Sequence, residues 1–239
     1  MDRRRLKNRV VKKITNFAYF ALRYGILIKV FPKGGTMKIF CLFIIFVLSL
    51  TVYSYAQEDA ILIDDFENSL SGGPEGTVDF GSGGGSSVQV KGSTDIKKCG
   101  NQSLEITYDA VPGGYMWAAR GSDLDAKNTG WLVDPQVIDW TKLYAISFYM
   151  YGANSKANIA FDIKDNGKEI WRFMVEDSFS GWKKVIIPFN DFFARSDWQP
   201  DNADKNSSLD FPIRSFQFEP RPEAKGTVYF DCAELIKAK

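Results

Sequence analysis

The sequence of 239 residues contains no histidine. No other side chain supplies a neutral base with a pKa near neutrality, so a Ser-His-Asp triad, a Cys-His pair, a zinc site with histidine ligands and histidine general-base chemistry are excluded. Any catalysis would depend on carboxylates, tyrosine, lysine or a bound metal. With 45% hydrophobic and 25% charged residues, the composition is that of a globular domain, not of a disordered or collagen-like chain.

Cysteine is scarce, with three residues in the chain. Cys41 follows no lipobox, which argues against a lipid anchor. Cys99 and Cys232 are an even pair, and two readings stay open: a disulfide formed in an oxidising compartment, or two buried thiols. A disulfide would join an early strand to the last strand and stabilise the fold by about 3 to 5 kcal/mol in the chain-entropy model.

The sequence also lacks an apolar run long enough to cross a membrane. The run at residues 39–52 falls short of the ~20 residues that a membrane-spanning helix needs. It follows Met37-Lys38 and precedes the small-residue pattern Ser54-Tyr55-Ala56, so residues 37–56 are predicted to be a signal peptide. We therefore expect a secreted or periplasmic protein that begins at Gln57 and has no membrane contact after cleavage.

Residues 1–36 are basic, and their apolar stretch at 17–31 is interrupted by Arg23 and Lys29. Three interpretations stay open: a long n-region, a helix on the membrane surface, or an upstream start codon assigned in error, with Met37 as the true start. We favour the last.

Removing the leader changes the charge balance. Eleven of the 30 Lys and Arg and one of the 29 Asp and Glu lie in residues 1–56, which leaves 19 basic and 28 acidic residues and a net charge of −9. Such an acidic chain has no basic stripe for phosphates, so nucleic acid is a poor candidate partner. Residues 57–239 are enough for one domain with a real core, and we expect a monomer.

Past the leader, short apolar runs alternate with polar residues and are bounded by Gly, Pro, Asn and Asp, the period-2 pattern of half-buried strands. Almost no helix is predicted, and Asp165-Asn166-Gly167 is expected to be a hairpin turn because Asn-Gly accepts positive φ. The pattern predicts an all-β fold, a two-sheet β-sandwich of jelly-roll type. The predicted strands are 60–64, 86–90, 103–108, 115–120, 145–151, 158–164, 169–176, 183–188, 214–219 and 227–235.

Strand alternation also predicts a polar sheet face. Residues on one face of a strand are two apart, so the apolar residues of three strands assign their polar neighbours to the opposite face. If the strands are adjacent, this face offers long side chains suited to bidentate hydrogen bonds; the alternative is an ordinary solvated face. Its members are Asp162, Lys164, Arg172, Gln217 and Glu219.

Aromatic residues are plentiful, with six Trp and ten Tyr. Aromatic rings stack on the apolar C–H face of a sugar, so this composition suits a carbohydrate binder. Trp140, Trp171 and Trp182 are assigned to the core or to packing at strand ends. Four others lie in or beside Gly- and Asp-rich segments and are candidates for an exposed binding face: Tyr115, Trp117, Trp131 and Trp198.

Two further kinds of site were weighed from the acidic residues. A glycosidase needs two carboxylates across a cleft, but nothing in the sequence selects such a pair. Asp65, Glu67 and Asp231 would supply oxygen ligands for a structural calcium ion if the terminal strands pair. The alternative is exposed acidic turns, and no EF-hand loop is present.

The chain resembles the family 11 carbohydrate-binding modules and, more loosely, the domain of complex I intermediate-associated proteins, both galactose-binding-like jelly rolls. The likeness covers residues 61–236. It is carried by Ile63-Asp64-Asp65-Phe66-Glu67, Gly114-Tyr115, Ile138-Asp139-Trp140, Ile146-Ser147-Phe148, Glu169-Ile170-Trp171, Gly181-Trp182-Lys183, Ile187-Pro188-Phe189-Asn190-Asp191-Phe192, Arg195-Ser196-Asp197-Trp198-Gln199-Pro200, Leu209-Asp210 and Gly226-Thr227-Val228-Tyr229-Phe230-Asp231.

The resemblance implies a non-catalytic module whose concave sheet face binds single β-glucan chains. Tyr115, Arg195 and Asp197 match groove residues of the family, and Trp198 replaces a groove tyrosine with another stacking ring. Three departures are expected to matter: Pro220 stands where a groove tyrosine is expected, residues 121–135 look like an insertion near the groove, and no catalytic domain is expected in the chain.

The leading hypothesis is therefore an exported carbohydrate-binding module, not an enzyme, that needs no cofactor and acts beside a separate glycanase. The first alternative is a protein-interaction domain of the complex I intermediate-associated type, and the second is a carboxylate-dependent glycoside hydrolase. The predicted sugar contacts are Tyr115, Trp117, Asp162, Arg172, Arg195, Asp197, Trp198, Gln217 and Glu219.

Overall fold

The computed structural model describes residues 60–238, which lie within one compact unit, Gln57–Lys239. The predicted signal peptide at 37–56 and the basic extension at 1–36 lie outside the described residues. Within 60–238, no helix is long and apolar enough to cross a membrane. The strands are β1 Ala60–Asp64, β2 Asp79–Gly83, β3 Ser87–Ser93, β4 Ser103–Ala110, β5 Tyr115–Gly121, β6 Leu143–Ala153, β7 Asn158–Lys164, β8 Ile170–Glu176, β9 Ser180–Pro188, β10 Phe193–Ala194, β11 Ser215–Pro220 and β12 Ala224–Lys237.

These strands form two antiparallel sheets, which confirms the predicted β-sandwich. The first sheet has the order β3-β4-β12-β6-β9, and β1 pairs with the second half of β12. The second sheet has the order β10-β8-β7-β11-β5-β2. The helices in the described part of the chain are three short 3-10 turns, Pro135–Val137, Trp140–Lys142 and Phe189–Asp191.

A cluster of phenylalanines fills the space between the sheets. Phe148 and Phe230 of the first sheet pack on Phe161 and Phe218 of the second, with ring centroids 3.6 to 5.7 Å apart. These four rings are fully buried. Because aromatic side chains remove a large apolar area from water, this cluster is a main source of the free energy that holds the sheets together.

One buried ion pair also joins the sheets. Arg120 of β5 donates to both carboxylate oxygens of Asp64 at the end of β1, at 2.6 and 3.0 Å, and to the carbonyl oxygen of Thr77. Burial raises the pKa of Asp64, although the hydrogen bond and charge of Arg120 oppose the rise. Since both partners are buried, removing either one would leave an uncompensated charge in the core.

All ten predicted strands are present, with ends shifted by a few residues, but β2 and β10 were not predicted. The groove-facing positions of β2 are Asp79, Gly81 and Gly83, so the strand lacks the alternating side chains that period-2 analysis detects. β10 has two residues, too few to show a period.

The β7–β8 turn differs in detail from its prediction. The positive φ falls on Lys168, at 68°, and neither Asn166 nor Gly167 has one. The carboxylate of Asp165 organises the turn because it accepts from the backbone N–H of Glu169 and the indole N–H of Trp171. The Asp165 side chain therefore fixes the backbone of this turn, whereas a positive φ at Asn-Gly was expected from the sequence to do so.

Cys99 and Cys232 form a disulfide with their Cα atoms 6.3 Å apart and 133 residues apart in the chain. Cys232 has a positive φ and lies beside a bulge in β12, where the pairing with β6 shifts register between Asp231 and Glu234. Asp231 stabilises this region by accepting from the backbone N–H groups of Lys98, Cys99 and Cys232.

Candidate functional site

A groove of about 760 Å³ lies on the outer face of the second sheet. The register places Asp79, Ala119, Gln217, Asp162 and Arg172 in one row across five strands, in the order β2, β5, β11, β7, β8. The predicted common face of Asp162, Arg172, Gln217 and Glu219 is therefore real. Small residues of this face, such as Ala119, leave room for the groove, and longer side chains surround it. The lining residues include Asp79, Tyr115, Trp117, Asp123, Leu124, Asp125, Lys164, Ile170, Arg195, Asp197, Trp198, Pro200, Gln217 and Glu219.

A buried ion pair between adjacent strands lies beneath the groove. Arg172 Nε and Nη2 donate to the two oxygens of Asp162 at 2.7 and 2.8 Å, a bidentate arrangement. Arg172 Nη2 also donates to Glu219 at 2.7 Å. Asp162 additionally accepts from the Gln217 amide at 3.0 Å. Such charge-assisted contacts fix the side chains in one geometry.

Arg195 extends this network toward the surface. Its Nη1 donates to Glu219 at 2.9 Å, and its Nε donates to Asp197 at 2.7 Å. Arg221 pairs with the second oxygen of Glu219. Three arginines thus neutralise three carboxylates, and we refer to the six residues as the ion network: Asp162, Arg172, Arg195, Asp197, Glu219 and Arg221.

Burial and neighbouring charges shift the pKa values of this network. Burial raises the pKa of Glu219, while Arg172 and Arg195 oppose the rise. Asp197 is more exposed, and the hydrogen bond and charge of Arg195 outweigh its partial burial, so the pKa of Asp197 is lowered. The pKa of Arg172 is raised because Asp162 and Glu219 outweigh the opposing effect of burial. The network therefore favours the charged form of its exposed member, Asp197.

A side-chain amide holds the segment that carries Arg195 and Trp198. Gln199 Oε1 accepts from the backbone N–H of Ile170 at 2.7 Å, and its Nε2 donates to the carbonyls of Ile170 and Arg195 at 2.9 and 2.8 Å. The segment is thereby fixed along the edge of β8. Trp198 is 56% exposed, and the Arg195 guanidinium lies 5.6 Å from its ring centroid.

Two more aromatic rings line the opposite side of the groove. Tyr115, which is 55% exposed, and Trp117 project from β5 with their ring planes 12° apart and their centroids 6.2 Å apart. Asp79 on β2 accepts from the indole N–H of Trp117 at 3.0 Å. The groove therefore has an aromatic surface on each side of the ion network.

The segment predicted as an insertion, residues 121–135, contributes to the groove. Asp123, Leu124 and Asp125 line it, and the backbone N–H of Asp125 donates to Asp79 at 2.9 Å. Lys164 donates to the carbonyl oxygen of Asp123. Burial lowers the pKa of Lys164, although the charge of Asp123 opposes the change.

The structure corrects the expected exposure of three predicted contact residues. Asp162, Arg172 and Glu219 are 1%, 5% and 3% exposed, because they are bound to one another. Glu219 still lines the groove, but Asp162 and Arg172 lie beneath its main surface. The sequence could assign these residues to the right face of the sheet. It could not show that they bond to one another. In the structure, Asp162 and Arg172 position Gln217, Glu219 and Arg195.

The other predicted aromatic and groove positions lie outside the groove. Trp140 and Trp171 are in the core, as assigned from the sequence. Trp131 is half-buried and stacks on Phe216 at 5.8 Å, so it is a packing residue and not part of the groove. Trp182 lies on the first sheet, where it packs against Tyr151 at 5.4 Å. Pro220 is buried at the end of β11 and provides no stacking ring.

The predicted calcium ligands are not brought together. Within residues 60–238, the side chains close enough to form a metal-binding group are Cys99, Asp231 and Cys232, two of which are joined as the disulfide. Glu67 instead accepts from the backbone N–H groups of Asn101 and Gln102, and Asp65 from that of Glu67. The grouping of Asp65, Glu67 and Asp231 was therefore wrong, while calcium binding itself stays a prediction.

Several residues of the site were not identified from sequence. Asp79 was missed because β2 was not predicted, and the backbone contacts of Gln199 leave no sequence signal. Arg221 follows the predicted strand of residues 214–219. Its position two residues after Glu219 is the one signal in the sequence that could have placed it beside Glu219.

Comparison with known proteins adds a family assignment. Residues 53–238 match the family model of the carbohydrate binding domain (family 11). A family 11 carbohydrate-binding module from Clostridium thermocellum, solved in complex with a β-1,3-1,4-mixed-linked tetrasaccharide, is 28% identical, with a TM-score of 0.60 over 75% of this chain and 96% of that chain. The family 11 module of the cellulosomal cellulase Lic26A-Cel5E from the same organism is 25% identical, with a TM-score of 0.58 over 77% and 97% of the two chains.

A longer relative is endoglucanase H of Acetivibrio thermocellus. It is 30% identical over 185 residues, which are 74% of this chain and 18% of the endoglucanase. The similarity therefore concerns one part of a much longer protein.

Proposed function

Because this chain belongs to the family 11 carbohydrate-binding domains, we propose that its groove binds a single β-glucan chain without cleaving it. The observation that carries the proposal is the arrangement of the groove: exposed Tyr115 and Trp198 lie on opposite sides of the ion network. Sugar rings present apolar C–H faces to aromatic rings and hydroxyl groups to charged side chains, and the groove offers both.

The charge balance of the ion network does not favour an anionic ligand. The three arginines of the ion network are matched by three carboxylates, so the network has no excess charge to attract a phosphate or a uronic acid. The exposed atoms of Arg195, Asp197 and Gln217 remain next to the groove space and are the groups placed to bond sugar hydroxyls. Such bonds replace bonds to water, so each adds modestly to affinity.

The solved relative that contains a β-1,3-1,4-mixed-linked tetrasaccharide supports a mixed-linkage glucan as the first ligand to test. The groove volume of about 760 Å³ lies within the range of ligand-binding clefts. We propose that the bound chain runs between the two aromatic sides and over the ion network.

The domain is proposed to act without catalysis. Two carboxylates of the ion network, Asp162 and Glu219, are both held by Arg172 and Arg195. A general acid must hold a proton before it donates it, whereas the two arginines favour the ionised carboxylates. A nucleophile must reach the sugar, and carboxylates bound to these arginines are not free to do so. No observation favours the hydrolase or the protein-interaction alternative.

The biological setting completes the proposal. One solved relative is a module of a cellulosomal cellulase, and another relative is an endoglucanase, which supports action on polysaccharide beside a glycanase. We propose that this protein is exported through its predicted signal peptide and works as a monomer with a separate glycanase.

Affinity electrophoresis tests the function. The purified protein is run through gels that contain mixed-linkage β-glucan, hydroxyethylcellulose, xyloglucan, mannan or xylan, with a polymer-free gel as reference. We expect retardation by β-glucan. Free migration in every gel would contradict the proposal, and release of reducing sugar from any polymer would contradict the absence of catalysis.

A further inference from the structure

Strand β2 has an unusual face toward the groove. Its residues Asp79, Gly81 and Gly83 pair with Ala119, Trp117 and Tyr115 of β5, and β2 is the edge strand of the second sheet. Glycine inside a strand gives up side-chain packing and costs conformational entropy. Two glycines on one face of one edge strand therefore need a structural reason.

The reason is the position of the two β5 rings. A Cβ atom on Gly81 would lie 2.6 Å from Cη2 and 2.8 Å from Cζ2 of Trp117. A Cβ atom on Gly83 would collide with the ring of Tyr115 in the same way, with Cε1 at 2.8 Å. These distances are too short for a real Cβ atom, so the distal edge of each ring occupies the space that a side chain at these β2 positions would fill. Covering strand glycines with cross-strand aromatic rings is a known way to stabilise a glycine-containing edge.

Reaching over β2 holds the two rings nearly parallel. Their planes differ by 12° and their centroids are 6.2 Å apart, because residues two apart on a strand share a face and both neighbours are glycine. The hydrogen bond from the Trp117 indole N–H to Asp79 then fixes the direction of that ring. The other oxygen of Asp79 accepts from the backbone N–H of Asp125, which ties the same residue to the groove wall.

We propose that Gly81 and Asp79 position Trp117 as a second stacking subsite beside Tyr115, so that the two rings bind two consecutive sugar residues whose faces are parallel. This inference rests on the proposed function of the groove. It deepens that function by naming the feature of the ligand that is selected. A flat, extended chain segment keeps neighbouring sugar faces parallel, whereas a linkage that turns the chain tilts them and allows one stacking contact at a time.

A double-mutant cycle on the full-length protein tests the positioning role. Affinity for mixed-linkage β-glucan is measured by isothermal titration calorimetry for the wild type, Gly81→Ala, Trp117→Ala and the double variant, with thermal melting to show that each is folded. Gly226→Ala is the matched control, since it is a strand glycine of the first sheet at which a Cβ atom meets atoms no closer than 3.5 Å.

We expect Gly81→Ala to weaken binding roughly tenfold by lifting the Trp117 ring, and Gly226→Ala to leave it unchanged. If Gly81 acts through Trp117, the double variant binds as Trp117→Ala does, because the two effects are not additive. Unchanged affinity of folded Gly81→Ala, or additive effects of the two substitutions, would overturn the inference while leaving the proposed function intact.

The ligand feature has its own test with two tetrasaccharides. We expect cellotetraose, whose β-1,4 linkages give a flat chain, to bind the wild type at least tenfold more tightly than laminaritetraose, whose β-1,3 linkages turn the chain. Trp117→Ala should reduce this ratio toward one. Equal affinity of the wild type for both sugars would overturn the selection of a flat segment, whereas binding to no β-glucan at all would overturn the proposed function first.

Discussion

Arg172 and Asp162 face each other on adjacent strands and share two parallel hydrogen bonds of 2.7 and 2.8 Å beneath the groove. Both side chains are almost completely buried. Their pairing supports Glu219 and, through Glu219, Arg195 at the surface. The rigid part of the site is thus an internal ion pair, and the ligand-facing atoms are held from below.

Replacing Arg172 with Met should destabilise the fold. The substitution leaves the Asp162 carboxylate buried with a weaker set of partners, and loss of one member of a buried pair costs about 3 to 5 kcal/mol. Urea denaturation gives the free energy of unfolding. The control is Lys225→Ala, which breaks the exposed pair with Asp109 and should have a much smaller effect. Equal losses for the two variants would show that burial of the pair is unimportant.

Removing an exposed ring should weaken binding without unfolding the protein. Trp198→Ala and Tyr115→Ala are each expected to lower affinity for β-glucan about tenfold, since each removes one stacking surface. Tyr144→Ala is the matched control, because Tyr144 is an exposed aromatic residue on the first sheet. Retention of the Trp198→Ala protein equal to that of the wild type would count against the groove as assigned.

Acid should remove a stabilising contribution of Glu67. Hydrogen bonds from the backbone N–H groups of Gln102 and Asn101 lower the pKa of Glu67 below its usual value. A lowered pKa in the folded state means that the carboxylate stabilises the fold above its unfolded pKa and loses this effect as the pH falls through the lower folded value. The melting temperature of the wild type should therefore approach that of Glu67→Gln as the pH falls below the usual pKa of a glutamate. A difference independent of pH would contradict this linkage.

Breaking the disulfide should lower stability. The bond joins residues 133 positions apart, and closure of so long a loop is expected to contribute about 3 to 5 kcal/mol through the unfolded chain. The comparison is urea denaturation of the wild type with and without dithiothreitol, beside a Cys99→Ser, Cys232→Ser variant that dithiothreitol should leave unchanged. If reductant has no effect on the wild type, the bond does not form or does not stabilise.

Calcium binding is tested by the melting temperature in EDTA and in excess calcium. An ion that binds the folded state alone raises stability by RT ln(1 + c/Kd), where c is the free calcium concentration, so the prediction expects a lower melting temperature in EDTA. An unchanged melting temperature would remove calcium from the description of this protein. In that case the backbone contacts of Glu67 and Asp231 are sufficient to explain their positions.

Local patterning accounts for what the sequence predicted well. Side chains alternate with a period of two in any strand, so Asp162, Arg172 and Gln217 were assigned to one face before their strands were known to be neighbours. The same rule found ten of the twelve strands in residues 60–238. It failed at β2, where Gly81 and Gly83 present no side chains to alternate.

The sequence by itself determined the class of fold, the polar face and the absence of histidine chemistry, because each depends on residue type and spacing along the chain. The tertiary structure decided which polar groups are exposed. Asp162 is bound by Arg172 from the next strand, and Trp117 rests on Gly81 of another. Both relationships depend on which strands become neighbours, and strand order is set by the packing of the whole sandwich rather than by any local segment.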